Sequence, residues 1–494
     1  MKRFRKKIHK ISIFIFIIGF VAWGYWFIDP EIKFIMWLSN LVNISNNWCE
    51  KPELNDNISC GEESLFTQKE YSYFQSGKFK KAVNSFTQER NKNRNNPEIL
   101  IYLNNAKLMQ ERRKSYTIAV PVPINREGRD IAESSLRGAA QIQEEFNKDT
   151  KNSGLKIVIV NDENNPQTVY KLTQRLLAKN DLVAVVGHYS SEVHQAALPV
   201  YQNQQIVVIT GGVSAMRETI LDSKTYPKNF FFRTVPDVQI QIRTLIKQLK
   251  SFQLANGAKV AIFYTPNSIY SKSAFTELNK QLGAENIIDR DISSSNLYAE
   301  SILNEVKQQG AKALIFIPDG RVNNSSSFDN TISLIDANAD KLPMLGFRTL
   351  YSRKIFDRRN FVKNLFLVVP WHYLKSENKQ FIQKAKDIWQ TDNIDSITAL
   401  SYDATLVLTK ALENLSISDS LKKQRLDIQE QLKTLQVQEG ASGTISFDQN
   451  GDRKKDTSQI VHVVPTICNI YRARFVPINY DLGTLTCLSN KTGL

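Results

Sequence analysis

The stretch VVGHYSSEVHQAALPVYQNQQIVVITGGVS, residues 185–214, alternates two apolar segments with turns made of small polar residues. An apolar strand ends in Gly-His-Tyr-Ser-Ser, a helical segment follows, and a second apolar strand ends in Thr-Gly-Gly-Val-Ser. Apolar strands separated by helices are typical of a parallel sheet covered on both faces. Ligands of such sheets bind beyond the carboxyl ends of the strands, where helix N-termini present free backbone N–H groups. The stretch therefore predicts an α/β fold and the place of a binding site.

The same rhythm continues along the chain and predicts an α/β protein with two doubly wound lobes. Seven short runs rich in Val and Ile read as strands: TIAVPVP, KIVIVND, LVAVVG, QIVVIT, KVAIFY, KALIFIP and LFLVV. A late helix (401–414) and a late hairpin (440–453) must return to lobes already begun, so several hinge crossings are expected. The two-lobed domain is predicted at 113–464. The first lobe takes about 113–235 and 371–440, and the second about 236–370 and 441–464.

Residues 64–112 have helical periodicity instead. SGKFKKAVNSFTQ places Phe79, Ala82, Val83 and Phe86 on one stripe, with Gly77 opening the turn, and Pro97 begins a further helix. These offsets resemble a tetratricopeptide-type (TPR-like) helical hairpin and the start of another. Such repeats are stable in arrays of about three, so a helical stalk packed on the next domain is the alternative.

The N-terminus has the pattern of a membrane anchor. A basic tail, residues 1–10, precedes ISIFIFIIGFVAWGYWFI (11–28), long enough as a helix to cross most of a bilayer core. The positive-inside rule places the tail in the cytoplasm, and the spacer (29–63) and all that follows outside, with the chain in the inner membrane. A cleaved signal peptide is the rival interpretation, but its apolar region would be shorter and end in small residues.

Charge and cysteine content narrow the partners. The net charge is +15, but six positive charges fall within the first ten residues and no dense basic block follows, so no nucleic-acid partner is expected. Two local disulfides fit an oxidising compartment, one between Cys49 and Cys60 and one between Cys468 and Cys487. The second would belong to a C-terminal flap at 465–494. Neither pair has zinc-ligand spacing, and no metal or cofactor is expected.

The two polar turns of the opening stretch supply the candidate ligand-binding residues. Ser190 and Ser191 follow the first strand, next to Tyr189, and Gly212 and Ser214 follow the second. Hydroxyls and amides at two neighbouring strand ends suit a carboxylate, and glycine lets the backbone approach a ligand. The alternative for Ser190 is a simple helix N-cap.

Six motifs follow one another between Tyr116 and about Val464: IAVPVPINREGRDIAESSLRGAAQIQEEFN, NDENNPQTVYKLTQRLLAKNDLVAVVGHYSSE, YQNQQIVVITGGVS, NFFFRTVPD, ALSYDATLVLTKAL and GTISFDQNGD. By their order and spacing this part of the chain resembles the type I periplasmic binding proteins, the branch that delivers leucine, isoleucine, valine and related amino acids to ABC importers. The resemblance implies two lobes that close on a small ligand and perform no chemistry.

The resemblance also implies roles for single residues. The ligand's α-carboxylate would contact Ser191 and Ser214, with backbone from Gly212, and Tyr270 is a candidate aromatic contact from the second lobe. The acid that meets the ligand's ammonium is expected where this chain has Arg348, a cation that would repel it.

Three explanations of this departure stay open. Asp319, at the end of a neighbouring strand, could supply the acid. Arg348 could hold a second carboxylate, since its planar fork suits bidentate recognition. Alternatively, Arg348 points to solvent or the site has decayed.

The sequence thus predicts a membrane-tethered, extracytoplasmic solute-binding protein for ABC-type import, whose ligand is an amino acid or related carboxylate. The alternatives are a ligand-sensing receptor domain that signals to a partner, and a scaffold with a degenerate cleft. An enzyme is not expected, because His188 beside Ser190 and Ser191 lacks a Gly-x-Ser-x-Gly elbow, and His194 is expected on a helix surface.

Overall fold

The computed structural model describes residues 68–124, 128–149, 153–179, 181–221, 224–226, 229–255, 257–391, 394–466 and 472–484. The predicted anchor (11–28), the spacer (29–63) and all four cysteines lie outside these residues. In the part of the chain that is described, no helix is long and apolar enough to cross a membrane.

The described chain begins with three helices: α1 (Gln68–Gln75), α2 (Phe79–Lys92) and α3 (Pro97–Gln110). Gly77 joins α1 to α2 with φ of +70°, a conformation that favours glycine. Asn96 caps α3 by accepting hydrogen bonds from the amides of Glu98 and Ile99, and Pro97 occupies the first helical position. The segment is therefore helical, as its periodicity predicts.

The first lobe is built on five parallel strands and the helices between them. They are β1 (Ser115–Val122), α4 (Arg129–Asn147), β2 (Gly154–Asn161), α5 (Pro166–Lys179), β3 (Leu182–Val186), α6 (Ser191–Asn203), β4 (Val207–Thr210), α7 (Arg217–Ile220) and β5 (Phe231–Arg233). The strand order is β2-β1-β3-β4-β5, and every pairing is parallel. All residues of β3 and β4 are buried, as expected for strands covered on both faces.

The second lobe repeats this alternation. Its elements are α8 (Val238–Ser251), β6 (Lys259–Tyr264), α9 (Ile269–Leu282), β7 (Ile287–Asp291), α10 (Ala299–Gln308), β8 (Ala311–Ile317), α11 (Ser327–Asn338), β9 (Met344–Phe347) and β10 (Leu365–Val369). These five strands pair in parallel in the order β10-β9-β8-β6-β7. The prediction of two parallel α/β lobes is confirmed.

The chain then returns to the first lobe and crosses once more. The returning elements are α12 (Lys379–Trp389), α13 (Ser396–Leu412), α14 (Leu421–Thr434), β11 (Gln436–Val437) and β12 (Ile445–Ser446), and the last two strands are β13 (Gln459–Pro465) and β14 (Ala473–Pro477). Ala441, Ile445 and Phe447 pack in the first lobe's core. Because these apolar side chains are buried in the first lobe, the chain crosses to the second lobe only after residue 447. The sequence suggested this boundary at 440.

The two final strands extend the second sheet antiparallel to the rest. β13 pairs with β10, and β14 pairs with β13 at the edge. Part of the segment 465–494, which the sequence assigns to a flap, is therefore an edge strand. Phe475 and Val476 of β14 are buried, which explains why this piece joins the sheet.

Buried ion pairs lie where the chain passes between the lobes. Arg233 is fully buried, and its guanidinium bonds Asp452 (2.6 Å) and Asp237 (2.5 Å). Asp403 and Arg453 pair at 3.5 Å, and both side chains are fully buried. The Arg233–Asp452 pair joins the crossing after β5 to the crossing after β12, and the Asp403–Arg453 pair joins the latter to α13.

The helices α1–α3 belong to the first lobe's core. Phe86 stacks on Tyr102 with ring centroids 6.0 Å apart, and both lie in the same apolar cluster as strands β1 and β2. The side chain of Asn105 bonds both backbone groups of Ile157 on the sheet edge β2, at 2.8 and 3.1 Å. The segment is thus packed on the next domain, as the stalk alternative predicts.

Candidate functional site

Two turns at the carboxyl ends of β3 and β4 form the first-lobe wall of the candidate site. Ser190 is the N-cap of α6, and its Oγ accepts a hydrogen bond from the amide of Val193 at 3.4 Å. Ser191 is the first helical residue and is buried. Ser190 is therefore a helix N-cap and also lies at the strand end where the binding site was predicted.

A single threonine joins the two turns. Thr210 Oγ1 donates to the carbonyl of His188 at 2.6 Å and accepts from the amide of Gly212 at 3.0 Å. A Cβ at position 212 would lie 2.4 Å from the carbonyl oxygen of Tyr189. Only glycine fits there, so the close approach of the turns depends on Gly212.

A cavity of about 360 Å³, including its open mouth, lies between these turns and the second lobe. The first lobe lines it with Tyr189, Ser190, Ser191, Glu192, Gly212 and Ser214, and the second with Gln241, Tyr270, Gly320, Arg348 and Thr349. Seven of the eight residues predicted from the sequence line the cavity; the eighth, Asp319, does not. Glu192, Gln241, Gly320 and Thr349 are additions that the sequence reasoning missed.

Arg348 lies in the cleft and bridges the two lobes. It follows β9, and its Nη2 donates to the carbonyl of Gly212 across the cleft at 3.0 Å. Its guanidinium carbon lies 5.0 Å above the ring of Tyr189, within the range of a cation–π contact. Its Nη1 is buried and has no hydrogen-bond partner among the described residues. Arg348 therefore does not point to solvent and offers a donor to an anion.

The carboxylate of Asp319 is hydrogen-bonded within its own loop. Its Oδ1 accepts hydrogen bonds from the backbone amide of Arg321 at 2.9 Å and from Ser325 Oγ at 2.7 Å. Burial raises the pKa of Asp319, against these hydrogen bonds, which lower it. Its neighbour Gly320 lines the cavity instead. The contacts thus give Asp319 a structural role in shaping that loop.

Glu192 is the acid that lines the cavity. It lies in the first turn of α6, and its Oε1 accepts hydrogen bonds from Ser268 Oγ at 2.6 Å and from the amide of Tyr270 at 3.2 Å. Both donors belong to the N-terminus of α9 in the second lobe. Burial raises the pKa of Glu192, and hydrogen bonds from Ser268, its own backbone amide and Tyr270 oppose that rise. The one signal in the sequence was an acid directly after Ser191.

Tyr270 closes the cavity from the second lobe. Its side chain is buried, and its ring packs edge-on against Phe347 with centroids 6.4 Å apart. Burial raises the pKa of Tyr270 well above its ordinary value. The residue therefore presents a neutral aromatic surface at ordinary pH.

The two histidines near the turns are structural. His188 is buried, and its ring nitrogens bond Asp162 at 2.6 Å and the hydroxyl of Tyr201 at 2.8 Å, not a serine. The expectation that His194 lies on a helix surface is wrong, because it is fully buried with its ring 4.3 Å from that of Phe231. Burial lowers the pKa of His194 well below its ordinary value. Neither residue is arranged to activate a nucleophile.

Within the residues that the structure describes, no group of three or more His, Cys, Asp or Glu side chains is placed to hold a metal ion. The cavity itself is lined by hydroxyls, one acid, one cation and aromatic rings. This combination suits the direct recognition of a small polar molecule.

The sequence comparisons define the class of protein. A family profile described as periplasmic binding protein matches residues 115–466, which cover both lobes. The chain therefore belongs to the periplasmic binding protein family. A search of curated proteins found no match.

Solved structures show the same fold at low identity. A leucine-binding protein LivK from Thermotoga maritima is 19% identical with a TM-score of 0.59, covering 73% of this chain and 97% of that one. LivJ from Streptococcus pneumoniae, in complex with isoleucine, is 15% identical with a TM-score of 0.58, covering 74% and 100%. A solute-binding protein of an ABC transporter from R. palustris, in complex with benzoate, is 14% identical with a TM-score of 0.59, covering 74% and 96%.

Family membership and the cleft agree on the general activity. The family profile names a binding protein, and the cavity lies between two lobes at the strand ends. The chain is a binding protein and not an enzyme, as predicted from the sequence.

Proposed function

We propose that this protein is an extracytoplasmic solute-binding protein that closes its two lobes on an amino acid or related carboxylate and delivers it for ABC-type import. The observation that carries the proposal is the composition of one cavity. Ser191 and Ser214 come from two adjacent strand ends of the first lobe, and Arg348 enters from the second lobe. Two hydroxyls and a guanidinium with a free donor form a carboxylate-binding set.

The solved relatives support a carboxylate ligand. Two of them are complexes with isoleucine and with benzoate, which share a carboxylate and differ in the rest of the molecule. In this chain the hydroxyls of Ser191 and Ser214 and the Nη1 of Arg348 would hold that group. Tyr189 and Tyr270 would contact the remainder of the ligand.

We propose that residues 11–28 anchor the protein in the inner membrane, with the tail 1–10 in the cytoplasm and the two lobes outside. The basic tail followed by an apolar stretch supports this orientation. Disulfides within the pairs Cys49–Cys60 and Cys468–Cys487 would suit that compartment.

We propose that α1 and α2 form a TPR-like helical hairpin that serves as a stalk packed on the first lobe; Gly77 forms the turn between the two helices, and Ala82 and Phe86 are buried. Their packing against the first lobe favours a role in holding the lobe at a fixed position after the anchor. The proposed partner of the assembly is an ABC permease, to which such a binding protein would deliver its ligand.

Calorimetric titration tests the proposal. The full 494-residue chain in detergent would be titrated with neutral, acidic and basic amino acids and with simple carboxylates. We expect saturable binding of a carboxylate-bearing ligand, weakened about 30-fold or more in Arg348→Gln, since removing one partner of a buried charge pair costs at least about 2 kcal/mol.

Arg243→Gln is the matched control, because Arg243 is exposed on α8 and away from the cavity lining. It should bind as the parent does. A folded parent protein that gives no heat with any of these ligands would contradict the proposal and favour a scaffold with a degenerate cleft.

A further inference from the structure

A basic cavity lies at the end of the helical segment where α2 begins and α3 ends. Its volume is about 1350 Å³, including its open mouth. It is lined by Gly77, Lys78, Phe79, Lys80 and Lys81 at the start of α2 and by Leu108, Met109, Gln110, Arg112 and Arg113 at and just after the end of α3. Five of these residues are cations, and none of the described residues that line the cavity is acidic. The cavity therefore gathers positive charge from two separate parts of the chain.

Four of the five cations have no acidic partner. Lys78, Lys80, Lys81 and Arg112 are exposed. Within the described residues, none of these four forms an ion pair. Lys423 on α14 shows the contrast, because it lies 3.0 Å from Asp419 and 2.6 Å from Asp427. Like charges that are gathered without acids repel one another, so the cavity suits contact with an anion.

The helical segment also carries a large share of the positive charge of the protein. Residues 68–114 contain 11 Lys and Arg and 4 Asp and Glu, which gives a net charge of +7. Residues 115–494, which include both lobes, contain 45 Lys and Arg and 38 Asp and Glu and also carry +7. Long-range attraction to an anionic surface therefore acts mainly on the helical segment.

The basic cavity and the ligand cavity lie at opposite ends of the first sheet. Leu108 packs on Gly154 at the start of β2, and the carbonyl of Lys114 accepts a hydrogen bond from the amide of Gly154 at 2.8 Å. The basic cavity is thus at the amino ends of β1 and β2, whereas the ligand cavity is at the carboxyl ends of their parallel neighbours. β1 has eight residues, so about 26 Å separates the two ends. Both cavities can be occupied at once.

The proposed anchor alone does not decide which face of the first lobe meets the bilayer. Residues 29–67 separate the anchor from α1, and a chain of that length can span up to about 130 Å. Met109 is 39% exposed and lies among the cations. An apolar side chain beside lysines suits the boundary between lipid headgroups and acyl chains. The composition of the basic cavity therefore matches a bilayer surface.

We infer that the basic cavity docks the first lobe onto anionic lipid headgroups of the membrane in which the chain is anchored. This inference rests on the anchor of the proposed function and adds a second membrane contact. The three lysines and Arg112 would bind headgroup phosphates through charge-assisted hydrogen bonds. The start of α2 would add to the positive field, because its N-cap Lys78 makes no side-chain capping bond. Docking holds the first lobe on the bilayer and leaves the second lobe, across the ligand cleft, free to move.

Lysine footprinting on the full chain in lipid nanodiscs tests the inference. One type of disc contains phosphatidylcholine alone, and in the other about one third of the lipid is anionic phosphatidylglycerol. Acetylation by a water-soluble reagent is followed by mass spectrometry at about 0.05 and 0.5 M salt. The reporter is Lys114, which is exposed beside the cavity, and the internal standard is Lys312, which is exposed on β8 of the second lobe.

Two triple variants carry the same change of charge. The cavity variant combines Lys78→Gln, Lys80→Gln and Lys81→Gln. The control variant combines Lys247→Gln, Lys250→Gln and Lys272→Gln, which remove three exposed cations of the second lobe.

We expect anionic discs to slow the acetylation of Lys114 about fivefold or more relative to phosphatidylcholine discs. High salt should remove this protection, because it screens exposed charges. The cavity variant should lose the protection, since each cation near an anionic surface contributes about fivefold to binding. The control variant should keep it, and Lys312 should react at the same rate in both types of disc.

Three results would overturn the inference: equal acetylation of Lys114 in both types of disc, protection that is the same with and without anionic lipid, and protection that the cavity variant retains. The proposed function is read separately. Incorporation into phosphatidylcholine discs reports the anchor, and calorimetric titration of the cavity variant, which should match the parent, reports ligand binding. A chain that joins neither type of disc would overturn the anchor together with the inference. A chain that joins only the anionic discs would support the docking and contradict the anchor.

Discussion

At the scale of single residues, the cleft is defined by side chains whose polar atoms are only partly used. Arg348 and Glu192 each spend one terminal atom on a contact across the cleft and keep the other buried. By contrast, His188 and Asp319 use their polar atoms on neighbours within their own lobes. Arg348 and Glu192 therefore present unused polar atoms to the cavity.

A buried acid away from the cleft makes stability depend on pH. Glu98 in the first turn of α3 is 7% exposed, and burial, followed by the charge of Glu133, raises its pKa from 4.5 to about 7. Between these two values the folded protein binds more protons than the unfolded chain, so the free energy of unfolding falls as pH rises. We predict a loss of about 3 kcal/mol across that window, absent in Glu98→Gln. Urea unfolding between pH 4.5 and 8 measures it.

The exposed Glu111 supplies the control, since Glu111→Gln should keep the pH dependence of the parent. An unchanged pH slope in Glu98→Gln would show that Glu98 is ionised in the folded protein at a normal pKa.

Most residues that line the cavity could be predicted from the sequence, but Glu192 could not, for a physical reason. Ser191, Gly212 and Ser214 follow local patterns, because turns at adjacent parallel strand ends must meet. Glu192 is in the same turn, yet its role depends on Ser268, which lies in the other lobe. An acid in the first turn of a helix ordinarily satisfies the helix dipole, so nothing local distinguishes it.

At the scale of elements, the edge of the first sheet is protected by amide side chains. Asn105 on α3 bonds the N–H and C=O of Ile157, and Asn147 on α4 bonds those of Leu155. Each asparagine thus takes the place of a neighbouring strand along β2. Since an open edge invites pairing with other chains, these side chains keep the helical segment and the sheet together.

We predict that Asn105→Ala lowers the free energy of unfolding by about 2–4 kcal/mol, because it leaves two buried backbone groups of Ile157 without partners. Chemical denaturation followed by circular dichroism measures the change. Asn84→Ala, at an exposed position of α2, should change it by less than about 0.5 kcal/mol. Equal effects of the two substitutions would contradict the edge-protection role.

Asp452 is the carboxylate through which Arg233 and Arg217 join the two crossings between the lobes. Asp452 bonds Arg233, which is fully buried, and Arg217. We predict that Asp452→Asn destabilises the protein by about 3–5 kcal/mol, because it takes the carboxylate from the partly buried Arg217 and leaves the buried Arg233 with Asp237 alone. Asp329→Asn, which removes the exposed pair with Lys354, should cost at most about 1 kcal/mol. Thermal unfolding of both variants would show whether the buried pair matters more.

The pKa of Asp452 gives the same pair a pH signature. Burial raises the pKa of Asp452, but the charges and hydrogen bonds of Arg233 and Arg217 together lower it by more. The pKa of Asp452 therefore lies below its ordinary value of 3.8. A carboxyl whose pKa is depressed on folding contributes stability above its unfolded pKa and loses it as the pH falls through the folded value. The difference in stability between the parent and Asp452→Asn should therefore shrink below about pH 3.8.

The elements themselves were predictable from periodicity where strands are apolar and continuous, as in β3 and β8. The antiparallel strands β13 and β14 were not recognised, because β13 pairs with β10, about 90 residues earlier in the chain, and β14 pairs in turn with β13. Both strands are also short, and neither shows a regular alternation of exposed and buried positions. Long-range pairing at a sheet edge leaves little trace in local sequence.

At the scale of the whole molecule, the helices α1–α3 are part of the lobe that they precede. Tyr102, Leu103 and Ala106 of α3 share the core cluster of strands β1 and β2. Arg90 of α2 donates to the carbonyl of Ile388 at 2.8 Å, which ties the segment to α12 as well. The helices α1–α3 are therefore part of the folded unit that holds the cavity.

We predict that a chain beginning at residue 113 is insoluble or unfolds at least 10 °C below the full protein, because it exposes a large part of the first lobe's core. Differential scanning calorimetry of both chains gives the comparison. A chain beginning at 113 that melts like the parent would mean that the helical segment adds nothing to the stability of the lobe.

The central claim is that the cleft holds a ligand carboxylate between Ser191 and Ser214 of one lobe and Arg348 of the other. The measurement that tests it most directly is a crystal structure with the tightest-binding ligand found by calorimetry. We predict the carboxylate about 3 Å from both serine hydroxyls and the Arg348 guanidinium, as hydrogen bonding requires. A ligand bound outside this cleft, or with its carboxylate turned away from Arg348, would contradict the account.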